Sequence, residues 1–165
     1  MQITRATDYA VRVMVHLASR PEGETVRLSA LVRASKVPAS FLSKVLQRLV
    51  SAGLVNSQRG TGGGFHLRVD PEKTTLLDVV EAMEGPLQLN VCVGSGQGCS
   101  RKSWCAVHPY WQKAQAAVSK VLAGISIAEL AQTSTSRNKA EHEVHATNGY
   151  KAEVMLNRKQ LLHGL

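Results

Sequence analysis

The chain has no run of 18 consecutive apolar residues, the shortest stretch that reads as a membrane-crossing helix. Its opening residues, MQITRATDY, carry an acid and lack the apolar core of a secretory leader. Both absences predict a cytoplasmic protein that does not touch a membrane. Cysteine is scarce as well. There are three, Cys92, Cys99 and Cys105, and all fall in the stretch VCVGSGQGCSRKSWCAVH at 91–108. In a reducing compartment an odd, clustered set of cysteines argues against a disulfide framework and leaves metal ligation or redox chemistry. Packing does not explain them, because Gly94, Ser95, Gly96, Gln97, Gly98, Ser100, Arg101 and Lys102 separate them where a buried thiol would have apolar neighbours. Acids are the third shortage. Residues 1–69 hold ten Lys/Arg against three Asp/Glu, a net of +7, whereas residues 70–165 hold ten against nine, a net of +1. The first half therefore expects an anionic partner, and a polyphosphate backbone is the commonest one for a basic domain.

With 165 residues the chain can bury one good core and an appended element, and is short for two full-sized domains. Residues 3–19 place Ile3, Ala6, Ala10, Val13, Met14 and Leu17 at helical spacing, with Thr4 available as a cap. After Pro21, Glu22 and Gly23, the segment LSALVRASKV offers Ser29 near a helix start and Leu28, Leu31 and Val32 as an inner side. A second helix then opens at Pro38 and stops at Gly53, with Leu42, Val45, Leu46 and Leu49 as its core stripe. Two short helices separated by residues 34–37 make a helix-turn-helix pattern. The outer face of the second carries no acid; it presents Ser40, Phe41, Ser43, Lys44, Gln47, Arg48 and Ser51, which predicts contacts to base edges and phosphates.

The next stretch, LVNSQRGTGGGFHLRV, alternates Val55, Ser57 and Arg59 before a turn and Phe65, Leu67 and Val69 after it. A glycine-tipped hairpin directly behind a helix-turn-helix predicts a winged helix. The thin tip of Gly60, Thr61, Gly62, Gly63 and Gly64 allows close approach to DNA, and Arg59 at its base is placed for a minor groove. RGTGGGF is not a nucleotide loop. Phe65 and His66 stand where a Walker loop needs Lys and Ser/Thr, and Phe65 stands where a dinucleotide fingerprint needs glycine.

Beyond Asp70 and Pro71, TTLLDVVEAMEG predicts a short helix with Leu76, Val79, Val80 and Met83 inward and Gly85 as its stop. After the cysteine loop, Val107, Trp111, Ala114, Val118, Val121 and Ile125 recur at spacings of four and three, the seam of a long helix that pairs with another. Too little chain remains to cover that seam, so a homodimer built on it is expected, which also suits paired half-sites in double-stranded DNA. Residues 133–149 are polar and mixed in charge and read as a flexible linker, in which His142 and His145 are solvated; YKAEVMLNRKQLL could form one weak terminal helix. The expected organisation is mostly α: a winged helix-turn-helix DNA-binding domain at 1–85 with a small two-stranded wing, a cysteine loop and long dimerisation helix at 86–132, and a flexible tail at 133–165.

Six residues separate Cys92 from Cys99 and five separate Cys99 from Cys105, with His108 three positions further on. Zinc fingers use tighter cysteine pairs, whereas an iron–sulfur cluster tolerates this spacing. Cys105 and His108 are the one nucleophile–base pair close in sequence, but no third orienting group accompanies them, so no enzyme is expected. In their order, ITRATDYAVRVMVHLA, SFLSKVLQRLVSAGLV, RGTGGGF, LLDVVEAMEG and the three-cysteine loop resemble the IscR and NsrR family of bacterial winged-helix transcriptional regulators over roughly residues 1–132. The resemblance implies a homodimer on a palindromic operator, holding a [2Fe-2S] or [4Fe-4S] cluster through Cys92, Cys99 and Cys105, and responding to cluster supply, nitric oxide or redox state. It implies a fourth ligand that is either His108 or Asp8 of the partner subunit. Ser43 and Lys44 stand where IscR-like members carry an acid and an amide, so the operator sequence does not follow from the resemblance. The other open reading is a zinc-stabilised or cluster-free winged-helix protein with no sensing role.

Overall fold

The computed structural model describes residues 3–94 and 99–136. The chain forms two compact units, residues 1–131 and 132–165. Of the second, residues 132–136 are described and are helical; the rest of the expected tail, with His142 and His145, lies outside the described residues.

Helix α1 (Arg5–Ala18) starts where Thr4 turns extended and its Oγ1 accepts the Thr7 N–H at 3.4 Å. Ala10, Val13, Met14 and Leu17 are buried as the spacing predicts, whereas Ile3 lies before the first turn and is half exposed. Thr7 replaces it on the inner side, fully buried because its hydroxyl is hydrogen-bonded. Helix α2 (Leu28–Ser35) begins one residue before the expected Ser29, with Arg27 as N-cap and no side-chain cap. It ends at Lys36, the sole non-glycine with positive φ among the described residues (+54°), which turns the chain into α3 (Ala39–Ser51). Pro38 precedes that helix, and Leu42, Val45, Leu46 and Leu49 are buried against α1. These aliphatic faces form the core of a winged helix-turn-helix, each buried Leu or Met contributing about 1.5–3 kcal/mol.

Strands β1 (Val55–Gln58) and β2 (Gly64–Leu67) pair antiparallel, with Val55 opposite Leu67 and Gln58 opposite Gly64. Arg59 belongs to the turn, not to the strand its alternation suggested. The wing also has a third participant that the pattern did not reveal: Val26 bridges Phe65 on the other side of β2. That contact explains Gly64. A β-carbon there would lie 2.4 Å from the Val26 carbonyl oxygen, whereas one on Gly62 would meet open space. Gly64→Ala is expected to destabilise by roughly 1–3 kcal/mol and Gly62→Ala by less than about 0.5 kcal/mol; urea unfolding of the two variants checks the difference.

Helix α4 (Leu76–Glu84) carries a capping box of Thr75 and Asp78, buries Val79, Val80 and Met83, and stops at Gly85 with φ +83°. A 3-10 turn (Val91–Val93) and a series of turns lead to α5 (His108–Ala123). Here the expected seam is interrupted. It ends at Gly124, so Ile125 is not on α5; instead the chain doubles back, the Leu76 N–H donating to the Ile125 carbonyl and the Ile127 N–H to Thr74. Ser126 and Glu129 bond reciprocally to start helix α6 at residue 127, which seats Ile127 and Ala131 in the core. Ile125 keeps the helical spacing, yet its place in the return is fixed through its backbone carbonyl.

Candidate nucleic-acid interface and cysteine loop

On α3 the polar side chains Ser40, Lys44 and Gln47 point to solvent, and Ser43 is half buried, its hydroxyl donating to the Ala39 carbonyl at 2.8 Å. Phe41 stands among them, held edge-on against Tyr9 of α1 with ring centroids 5.7 Å apart. Arg12 lies over the other partner, 5.8 Å from the Tyr9 ring centroid. Arg48 turns the other way: it donates to the Met83 carbonyl at 3.0 Å, satisfying the end of α4. The wing tip projects Arg59, Thr61 and Gly62 into solvent, with φ +106° at Gly60 and a tight return at Gly63. Arg27 was not visible as part of this surface, yet its guanidinium holds the Thr61 carbonyl at 3.1 Å.

A second cluster of polar groups ties α1 to α4. Glu84 accepts from the Thr4 N–H at 3.1 Å, from the Thr4 hydroxyl at 2.6 Å and from the Thr7 hydroxyl. The Thr4 and Thr7 hydroxyls, together with nearby Arg48, hold the Glu84 carboxyl below the usual carboxylate range. Because the unfolded chain takes up that proton first, the stabilisation is complete above the ordinary glutamate range and is lost as pH falls through the lowered value. Glu84→Gln is therefore expected to flatten the acid limb of stability below about pH 4.3, read by urea unfolding at stepped pH.

The three cysteines are free thiols, Cys92 and Cys105 half buried and Cys99 exposed. Cys92 sits in the 3-10 turn, and Gln115 of α5 holds both sides of it: its Oε1 accepts from the Leu89 N–H at 3.1 Å and its Nε2 donates to the Val93 carbonyl at 3.2 Å. A lone amide inside a helix gives no sequence signal for that role. Cys99 and Cys105 each open a turn, their carbonyls accepting from the Lys102 and His108 N–H groups. Arg101 packs over the exposed ring of Trp104, 5.8 Å from its centroid. His108 opens α5 and is buried, with its Nδ1 lacking a hydrogen-bond partner among the described residues. Asp8 is on α1 and pairs with Arg12 at 2.9 Å. Among the described residues no three His, Cys, Asp or Glu side chains are gathered closely enough to hold a metal ion.

Residues 3–133 match the family Rrf2, described as an iron-dependent transcriptional regulator. The chain belongs to the Rrf2 family. Among curated relatives, it is 31% identical to the transcriptional regulator IscR of Aliivibrio salmonicida over 130 residues, 79% of this chain and 77% of that one. It is 35% identical to protein aau3 of Rhizobium meliloti, over 79% of this chain and 84% of that one. Among solved structures it resembles CymR, the global cysteine regulator of B. subtilis, with TM-score 0.66, 25% identity and coverage of 81% and 98%. IscR of T. potens has the same fold, with TM-score 0.64, 22% identity and coverage of 81% and 88%. As an Rrf2 protein, this chain is a DNA-binding transcriptional regulator and not an enzyme. No helix among its described residues is long and apolar enough to cross a membrane.

Proposed function

We propose that this Rrf2 protein is a cytoplasmic, homodimeric repressor whose grip on a palindromic operator is set by an iron–sulfur cluster in the cysteine loop. The observation that carries the reading is His108: a buried imidazole nitrogen without a partner is costly, and it lies at the end of the loop that holds every thiol of the chain. Three free thiols and an imidazole fit the donor set of such a cluster chemically. Cys92, Cys99, Cys105 and His108 would hold it, with Asp8 of the partner subunit as the alternative fourth ligand. Bound there, a cluster supplies a centre that reacts with oxidants and nitric oxide. The loop joins α4 to α5, so ordering its thiols would stiffen the link between the DNA-binding elements and the dimer helix. Ser40, Phe41, Ser43, Lys44 and Gln47 then read the major groove while Arg59 and the Gly60–Gly63 tip enter the minor groove; Arg48 contributes by holding α4 in place.

Dimerisation through α5 is supported by Tyr110, Trp111 and Val121 on the helix and Val107 at its N-cap, apolar or aromatic side chains exposed in a single protomer. Anaerobic purification followed by an absorption spectrum and iron and sulfide analysis tests the cluster directly. Brown protein with near-equal iron and acid-labile sulfide is the expected result. Colourless protein carrying stoichiometric zinc, or no metal after attempted reconstitution, would leave a winged-helix regulator without a cluster sensor.

A further inference from the structure

The segment that leads into α2 is built into the wing. Val26 and Phe65 exchange backbone N–H donations at 2.8 and 2.9 Å, so β2 has a neighbour on each side. One residue on, Arg27 reaches the other end of the hairpin, its Nη2 donating to the Thr61 carbonyl at 3.1 Å across 34 sequence positions. The wing is thus gripped at its middle by backbone and at its tip by a side chain. The grip matters because the tip is rich in glycine, and a free glycine tip would lose much conformational entropy on entering a groove. A guanidinium has five N–H donors, and the Thr61 carbonyl uses one. Arg27 forms no ion pair with a carboxylate among the described residues, so its charge stands uncompensated beside the tip that also carries Arg59. Both walls of a minor groove are phosphates, and the planar fork of arginine matches their oxygens in pairs.

We propose that Arg27 is the positioning residue of the wing: it holds the tip through the Thr61 carbonyl and binds an operator phosphate with its remaining donors, which fixes how the wing enters the minor groove. The proposal rests on the wing contacting DNA, and is independent of any cluster.

The test uses the full chain, a duplex selected from a random pool by the unaltered protein, and three readouts: hydroxyl-radical protection of the minor groove, methylation protection of the major groove, and the dependence of affinity on salt. Arg27→Ala is expected to lose minor-groove protection at the wing, to weaken binding about tenfold per half-site, and to make the slope of log affinity against log salt shallower by about 0.9 per half-site. Major-groove protection under α3 should persist, which a general folding defect would not allow. Arg27→Lys should recover the salt slope while the minor-groove protection stays weak, because an ammonium lacks the rigid fork. An Arg27→Ala protein with unaltered protection and slope overturns the proposal; lost protection with an unchanged slope overturns the phosphate contact. If the unaltered protein gives no minor-groove protection at all, the wing itself is not a DNA contact and the proposal falls with it.

Discussion

Cys105→Ala is expected to abolish cluster assembly outright and to leave operator binding indifferent to reconstitution. Cys105 is the thiol nearest His108, separated from it by two residues, and its carbonyl accepts the His108 N–H at 3.1 Å. Losing this thiolate removes one of three sulfur donors from a loop that has no other cysteine to recruit. The folded core should be unaffected, because the side chain is half buried in a loop turn and belongs to no core cluster. For the unaltered chain, gain or loss of the cluster should change operator affinity by about 5–150-fold, the range of a coupling energy of roughly 1–3 kcal/mol. Titrating the selected duplex with unaltered and Cys105→Ala protein, each before and after anaerobic reconstitution, measures this directly. A variant whose affinity still shifts on reconstitution would sink the assignment of Cys105, and an unaltered chain that never shifts would sink the coupling.

The second large effect is expected from Val121→Glu. Val121 is 71% exposed on α5, so a carboxylate there leaves the protomer core intact. In a dimer seam, however, the same position would be covered, and an unpaired buried charge is among the most disruptive changes an interface can receive. Sedimentation should therefore show a monomer for the variant and a dimer for the unaltered chain. Operator affinity should fall by about 10²–10⁴, because two linked half-sites become two separate weak ones. A Val121→Glu protein that remains dimeric would place the partner surface elsewhere.

The helices were legible because their faces repeat: Ala10, Val13, Met14 and Leu17 on α1, and Leu42, Val45, Leu46 and Leu49 on α3, occupy the inner side that their spacing predicts. The hairpin was legible from alternation around a glycine tip, although its boundary moved by one residue at Arg59. The end of α5 was misread because Ile125 keeps the helical spacing yet belongs to the return toward Thr74 and Leu76. Among the candidate DNA contacts, nothing in the chain order reveals that Arg48 donates to the Met83 carbonyl whereas Lys44 faces solvent.

The sequence by itself determined the winged helix-turn-helix order, the basic first half and the confinement of all thiols to one loop, because periodicity, composition and spacing are local properties of the chain. The tertiary structure alone decided which residues tie distant segments together. Val26 and Arg27 pin the wing, Glu84 joins α4 to Thr4 and Thr7, and Gln115 frames the turn of Cys92. Each depends on a hydrogen bond between positions 22 to 80 residues apart, and no local pattern encodes the partner of a polar group until the apolar faces have packed and left it there.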